Sequence, residues 1–274
     1  MPLTLVPTPI GNLEDVTLRA LRVLRAADLI ACEDTRTSGV FLRRYGIAKP
    51  LVSLHLHNEK ERTERLVEAL AEGKNVAVIS DAGTPGISDP GYLLFQKALE
   101  AGCEVDVLPG PSALLPAVLL SGLSPHPFLF YGFPPEKSGR RKRLFASLES
   151  VPYTLVFYVS PHKADRQVAE MIESWGDRKA ALVREISKIY QEAVRGTLSD
   201  IASRLGEGVK GEMVLVVAGG KERESEEDSD AWRERAGELR DEGRYAREIA
   251  GEIAELYGVP KNVVKDFLTK SQRS

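Results

Sequence analysis

The sequence predicts an α/β protein with two α/β domains and a small helical module at the C-terminus. Three observations predict it. Short apolar runs alternate with longer amphipathic segments through most of the 274 residues, the pattern of strands joined by helices around a largely parallel sheet. Glycine- and proline-rich stretches directly follow several of those runs, at the strand ends where open α/β sheets hold their ligands. The composition then shifts abruptly at KERESEEDSD, Lys221 to Asp230, where eight of ten residues are charged.

The first domain is expected over residues 1–122 and opens with LTLV. DVTLRALRVLRAAD follows as a helix with Asp15 as its N-cap and Leu18, Leu21 and Leu24 along one face. LIAC is the next strand and leads into a charged helix ending near Tyr45. In LVSLHLHN, His55 and His57 share a strand face because side chains alternate with period two. Helix ERLVEALAEG precedes strand VAVIS, and helix YLLFQKALEAG precedes strand EVDVLPG and helix PSALLPAVLLSG. Gly73, Gly102 and Gly122 fall where these helices should stop, as left-handed caps require.

A second domain, residues 123–219, alternates again through PFLFYGF, YTLVFYVS, AALVREI and EMVLVVAGG. The charged segment at 220–231 has nothing to bury and is expected to be a linker. The tail at 232–274 contains REIAGEIAELYGVPKNVVKDFL, two short helices around a turn at Tyr257 to Lys261. Ile249, Ile253, Leu256, Val264 and Phe267 can share a small core, like a helix-turn-helix. Whether this hairpin packs on the main body or contacts RNA or protein is left open by the sequence.

Composition narrows the function. Net charge is −3, so any nucleic-acid surface must be local. The two cysteines, Cys32 and Cys103, cannot build a disulfide framework or a zinc ribbon and are expected to be ordinary buried thiols. No run reaches the roughly 18 apolar residues of a membrane span, and the N-terminus lacks the pattern of a secretory leader. A cytoplasmic protein without membrane attachment is expected. His55 and His57 lack a third ligand at suitable spacing, so no metal site is expected.

Three loops carry the ligand signal: PTPIGN after LTLV, SDAGTPGISDPG after VAVI, and LPGPSALLP after VDV. None fits the phosphate loop GxxxxGK[ST] or the dinucleotide fingerprint GxGxxG. Between Asn75 and Gln96 there is no Lys or Arg, whereas Asp81 and Asp89 are acidic, so a polyphosphate would meet uncompensated repulsion. Ribose hydroxyls, an amine or a sulfonium suit such loops better, and glycines let backbone groups approach an adenine edge. S-adenosylmethionine fits that description. Asp81, directly behind the strand, is the better site candidate; Asp89 is expected to cap the helix starting near Gly91.

TPIGNL (Thr8 to Leu13), CEDTR (Cys32 to Arg36), SDAGTPGISDPG, LPGPSAL (Leu108 to Leu114), YGFPP (Tyr131 to Pro135), REISKIYQE (Arg184 to Glu192) and GEMVLVV (Gly211 to Val217) occur in this order. Together they resemble the ribosomal small subunit methyltransferase I family, within the tetrapyrrole-methylase class of S-adenosylmethionine enzymes, over Leu5 to Ala218. The resemblance implies a two-domain homodimer that methylates the ribose 2′-hydroxyl of a cytidine in the decoding region of 16S rRNA, within the small ribosomal subunit. By position it implies a cofactor cleft lined by Pro9, Ile10 and Gly11; by Asp81, Gly83, Thr84 and Ile87; by Ser112 and Ala113; and by Tyr158, Val159, Met213 and Val214. A first loop less rich in glycine than in related tetrapyrrole methylases argues against a corrin-ring substrate.

REISKIYQEAVRG supplies candidates for the chemistry. Glu185 and Lys188 are expected to serve as base and partner or to position the ribose, with a salt-bridged turn surface as the structural alternative. Arg36 follows LIAC in a helix's first turn, where a cation opposes the macrodipole unless a phosphate lies nearby. In EKSGRRKRLFASLES, with Ser138 as cap, Arg140, Arg141, Lys142 and Arg143 crowd the positive helix end and are expected to bind RNA phosphate. Two alternatives keep the fold: methyl transfer to a tetrapyrrole or a modified protein histidine, and a non-catalytic RNA-binding protein retaining a nucleoside pocket.

Overall fold

The computed structural model describes residues 3–55, 58–220 and 230–270. His57 and most of the expected charged linker lie outside them. The first sheet contains β1 (Leu3–Leu5), β2 (Leu29–Cys32), β3 (Leu51–Ser53), β4 (Val76–Ile79) and β5 (Val105–Val107), in the order β3-β2-β4-β1-β5. All its pairings are parallel, so every strand delivers its following loop to one edge. VAVI is buried at each position because both faces are covered. Ala77 and Ile79 pack with Val23, Leu24 and Leu42 from α1 (Leu18–Ala26) and α2 (Thr35–Arg44). Val76 and Val78 pack with Leu66, Leu70 and Leu94 from α3 (Glu59–Ala71) and α4 (Tyr92–Glu100).

Local chemistry corrects two expectations in α1. Its N-cap is Thr17, whose hydroxyl accepts from the Ala20 N–H at 3.0 Å, while Asp15 belongs to a preceding 3-10 turn. Leu24 is buried but Leu18 is 87% exposed, because residues six apart drift off a common helical face. The helix stops hold as expected, with Gly73, Gly102 and Gly122 at positive φ. Cys32 is buried, but Cys103 is only half-buried.

The second sheet contains β6 (Phe128–Gly132), β7 (Thr154–Val159), β8 (Lys179–Arg184), β9 (Glu192–Thr197) and β10 (Met213–Val217), in the order β6-β7-β10-β8-β9. Here only β6 and β7 run parallel; β10 is antiparallel to both neighbours and β8–β9 is an antiparallel pair. A largely parallel second layer is therefore corrected to a mixed sheet. β9 carries Glu192 and Arg195 on an edge, which made it read as a turn surface. Four helices accompany this sheet: α5 (Leu114–Ser121), α6 (Ser138–Leu148), α7 (Pro161–Trp175) and α8 (Leu198–Gly206). From α5, Ala117 and Val118 pack against Val156, Val183, Val214 and Val216.

The chain divides into two compact units, Met1–Ala146 with Tyr153–Ala218, and Ser147–Pro152 with Gly219–Ser274. Both sheets belong to the first. Among its described residues the second contains three helices where two were expected: α9 (Asp230–Asp241), α10 (Ala246–Tyr257) and α11 (Lys261–Lys270). α9 contributes Trp232, buried among Ile249, Ile253, Val264 and Leu268. Leu256, expected in that core, is 64% exposed. Among the described residues, no helix is long and apolar enough to cross a membrane.

Candidate active site

Sheet order brings the loops together. β4, β1 and β5 are neighbours and β2 adjoins β4, so CEDTR and the three glycine-rich loops leave from one edge. The first two loops are stitched by a two-way bridge: the Thr8 N–H donates to the Gly83 carbonyl and the Gly83 N–H to the Thr8 carbonyl, each at 2.9 Å. The Thr8 hydroxyl donates to the Ser80 carbonyl at 3.0 Å, and the Ser80 hydroxyl to the Gly83 carbonyl at 3.1 Å. The Thr84 hydroxyl reaches the Pro111 carbonyl of the third loop at 3.4 Å. Gly110 admits the first loop because a Cβ there would stand 2.7 Å from the Pro7 Cβ. These contacts fix the loops before any ligand arrives.

The second sheet supplies an apolar wall. Ile10, Ala113 and Tyr158 pack with Val214, Val183 and Ile186 in one cluster. Tyr158 pairs with Val214 across β7 and β10, as Val159 does with Met213. By the alternation of strand faces, the side chains of Val159 and Met213 turn away from this cluster; both are buried. Ile87 is half-exposed, and Pro9 is partly buried. The Ser112 hydroxyl accepts from the Leu114 N–H at 3.3 Å and also bonds Tyr158.

The carboxylates at this edge have company of their own sign. Burial raises the Asp81 carboxyl above the usual range, although the Asp34 N–H, 3.4 Å from its Oδ1, works against that rise. Asp89 is raised to about 7, first by burial and then by the charges of Glu33, Asp81 and Glu212. Glu33 is itself raised by burial and by Asp81. The expected helix-capping role of Asp89 is corrected: the Gly91 N–H at the start of α4 is bound by Glu59 Oε1 at 2.9 Å. Asp89 instead faces the other acids and Tyr158, whose hydroxyl is held above its ordinary value by burial and by Asp89. Ser88, just before it, has φ of 64° and its Oγ lies 3.0 Å from where a Gly132 Cβ would stand. Such strained backbone persists where surrounding contacts hold it.

An acidic, glycine-lined edge with an apolar wall fits a cationic nucleoside. The model of the family described as Tetrapyrrole (Corrin/Porphyrin) Methylases matches residues 2–202. A Mesorhizobium japonicum protein named ribosomal RNA small subunit methyltransferase I is 47% identical, covering 83% of this chain and 78% of its own. The Escherichia coli O157:H7 protein of that name is 40% identical, covering 98% of this chain and 95% of its own.

This chain belongs to the ribosomal RNA small subunit methyltransferase I family.

Its fold is that of the tetrapyrrole methylases, and the family is S-adenosylmethionine-dependent. Among solved structures, diphthine synthase superposes with a TM-score of 0.62 at 18% identity, over 79% of this chain and 89% of that one. Uroporphyrin-III-C-methyltransferase from Thermus thermophilus gives 0.58 at 23% identity, over 79% and 93%.

The remaining candidates of this family member fall into two groups. Glu185, at φ of 50°, and Lys188 form an ion pair of 2.9 Å, and Lys188 also bonds Glu212 at 3.0 Å. The Glu212 N–H donates to Glu185 Oε1 at 3.0 Å. Glu185 is held below the usual carboxylate range, first by its bond from Lys188, which makes it a weak proton acceptor. Burial disfavours the Lys188 ammonium, but its bonds to Glu185 and Glu212 raise it overall. The Lys188 stem passes Gly11 so closely that a Cβ there would stand 2.3 Å from its Cγ. The pair thus ties the second sheet to the first loop.

Among the basic candidates, Arg141 is corrected. It is buried, with Nε and Nη2 on Glu170 at 2.6 and 2.8 Å and Nη1 on the Pro135 and Glu136 carbonyls at 2.9 and 2.8 Å. The Ser138 hydroxyl bonds Glu170 as well, at 3.1 Å, so the carboxylate of α7 answers the cation crowding at the start of α6. Glu170 is lowered to about 2, first by the Arg141 bonds. Lys142 is paired with Glu173 at 2.8 Å. Arg140 and Arg143 remain exposed, with Arg143 Nε on the Gly139 carbonyl at 3.2 Å. The macrodipole conflict at Arg36 is resolved by Asp34, which caps α2 through the Arg36 N–H at 2.7 Å and pairs with its guanidinium at 3.0 Å. Arg36 is nevertheless exposed.

Proposed function

We propose that this chain transfers a methyl group from S-adenosylmethionine to the ribose 2′-hydroxyl of a cytidine in the decoding region of 16S rRNA. It does so in the cytoplasm, on RNA presented within the small ribosomal subunit. The rRNA assignment rests on the names of its relatives. The observation that carries the chemistry is the crowding of Asp81, Asp89 and Glu33 at a loop edge stretching from Asn75 to Gln96 without Lys or Arg.

The residues present fit the cofactor. Thr84, Pro9 and Gly11 offer backbone groups on loops already braced together, Gly83, whose own N–H and carbonyl are taken by Thr8, leaves room for close approach by lacking a Cβ, and Asp81 and Asp89 offer negative charge. Bound there, S-adenosylmethionine supplies an electrophilic methyl on a cationic sulfur. Ile10, Ala113, Tyr158 and Val214 keep water from the reacting region, which strengthens each remaining charge interaction. A ribose hydroxyl becomes a useful nucleophile as its proton leaves, and a base contributes most when its proton affinity lies near the working pH. Asp89 meets that condition and Glu185 does not. Glu185, Lys188 and Glu212 are assigned to orienting the ribose, and Tyr158, kept protonated, to donating a hydrogen bond.

Arg140, Arg143 and Arg36 are the exposed cations assigned to RNA phosphate. On α5, Leu115 and Leu119 lie one turn apart and are 57% and 71% exposed, an apolar face suited to a second copy in a homodimer. Incubation with hypomethylated small subunits and mapping of the modified nucleotide tests the reaction. A 2′-O-methylcytidine in the decoding region is expected; methyl on a base, on protein or on a tetrapyrrole overturns the assignment.

A further inference from the structure

Beside the acidic loops lies an aromatic group that the reaction above leaves unused. Phe133 follows β6 and is 56% exposed, although its ring sits 5.4 Å from that of Tyr158, tilted by 60°. Tyr158 bonds Ser112 of the third loop and faces Asp89 of the second, so Phe133 borders the place where the acceptor ribose must lie. Phe130 meets the same Tyr158 ring at 4.9 Å, so the ring that carries Phe133 is itself packed in place while Phe133 stays largely exposed.

The loop that presents Phe133 is held rigid from two sides. Ahead of the ring, the Gly132 backbone lies against the strained Ser88. Behind it, the buried Arg141 binds the Pro135 and Glu136 carbonyls while locked to Glu170 on α7. A buried bidentate ion pair spent on two loop carbonyls has no catalytic use by itself; it fixes the position of what the loop carries. From the same segment, Arg140 and Arg143 project into solvent. An exposed aromatic residue with exposed cations a few residues along the same segment is the combination that single-stranded RNA recognition employs: the cations follow the backbone and the ring takes an unstacked base.

We infer that Phe133 is the stacking platform for the base of the acceptor nucleotide, or of the nucleotide next to it. Resting on the proposed rRNA reaction, this assignment adds how the ribose is held: the base of an acceptor nucleotide in a single-stranded segment is unstacked, and a ring that takes it fixes the sugar attached to it. Stacking tolerates any base, so Phe133 contributes affinity and positioning, while the neighbouring polar groups discriminate.

The test compares Phe133→Ala, Phe133→Leu and Phe133→Trp with the unaltered full-length protein on hypomethylated small subunits. Methyl-transfer rates and S-adenosylmethionine affinity are both measured. The expected result is a loss of roughly tenfold to a hundredfold in kcat/KM for RNA in the Ala and Leu variants. Cofactor affinity and melting temperature stay unchanged, and Trp restores activity. Leu performing as well as Phe would overturn the platform, since size and apolarity would then suffice; so would an equal loss of cofactor affinity, which would make Phe133 part of the cofactor wall. If the unaltered protein methylates no rRNA while binding the cofactor, the rRNA reading fails and the platform with it.

Discussion

Two charged regions of the first unit stand in opposite states. At the glycine-loop edge, Asp81, Asp89 and Glu33 repel one another, and the proton affinities of all three rise first through burial. Between α6 and α7, Arg141 and Glu170 are both buried, and each satisfies the other. The first region is unfinished without a cation; the second is complete. Charge that is left uncompensated at a fixed, concave edge marks where a ligand belongs, whereas charge that is fully answered marks where the scaffold is held.

The largest effect that would sharpen this contrast is on catalysis. Asp89→Asn is expected to lower kcat by about a hundredfold to ten-thousandfold and to remove the rise with pH of kcat/KM for S-adenosylmethionine, which reports the cofactor-free protein, in which Asp89 is raised to about 7. An unchanged pH profile in single-turnover assays assigns the base elsewhere. Next comes stability: Arg141→Ala leaves the buried Glu170 carboxylate with only the exposed Arg166, at 3.1 Å, and the Ser138 hydroxyl, and is expected to cost about 3 kcal/mol by denaturant titration. Because Glu170 is lowered in the folded state to about 2, its contribution is present above its ordinary unfolded value. That contribution fades as pH falls through the folded value. Acid unfolding between those limits should be blunted when Arg141 and Glu170 are replaced together by apolar residues.

Asp89 has the opposite linkage. Its folded value is raised, so the neutral form stabilises the fold at low pH and that contribution is lost as pH rises through about 7. Asp89→Asn should therefore be more stable than the unaltered protein at pH ~8 and similar at pH ~4, by thermal melting. The smallest effect is on RNA. Replacing Arg140 and Arg143 together is expected to weaken rRNA binding and reduce its salt slope by about one for each cation removed, whereas replacing the paired Lys142 changes it little. A slope unchanged in the double variant removes this helix end from the RNA surface.

The same contrast explains what the sequence disclosed. The ligand edge was readable because each signal was local: apolar run, glycine-rich loop, acids without nearby cations. Parallel strand order then only had to make neighbours of loops that already shared a chemistry. The RNA patch was misread at Arg141 because its partner, Glu170, lies 29 residues away on another helix, and four adjacent cations look alike until something selects one. Asp89 reads as a helix cap because SDPG is turn-like; Glu59, 32 residues before the Gly91 N–H it binds, holds that position instead. Trp232 was missed since the charged run before it hid the start of a third helix. Partnership is a property of the fold, and only charge type is written locally.

The unfinished state of the loop edge is tested most directly by calorimetric affinities for S-adenosylmethionine and its demethylated, uncharged product, measured from pH ~6 to ~8. The two ligands share the nucleoside and differ in the positive sulfur. As Asp89 ionises near 7, preference for the cationic donor should increase, and Asp89→Asn should flatten that increase. A preference that stays constant across this range would contradict the claim that these carboxylates await a cation.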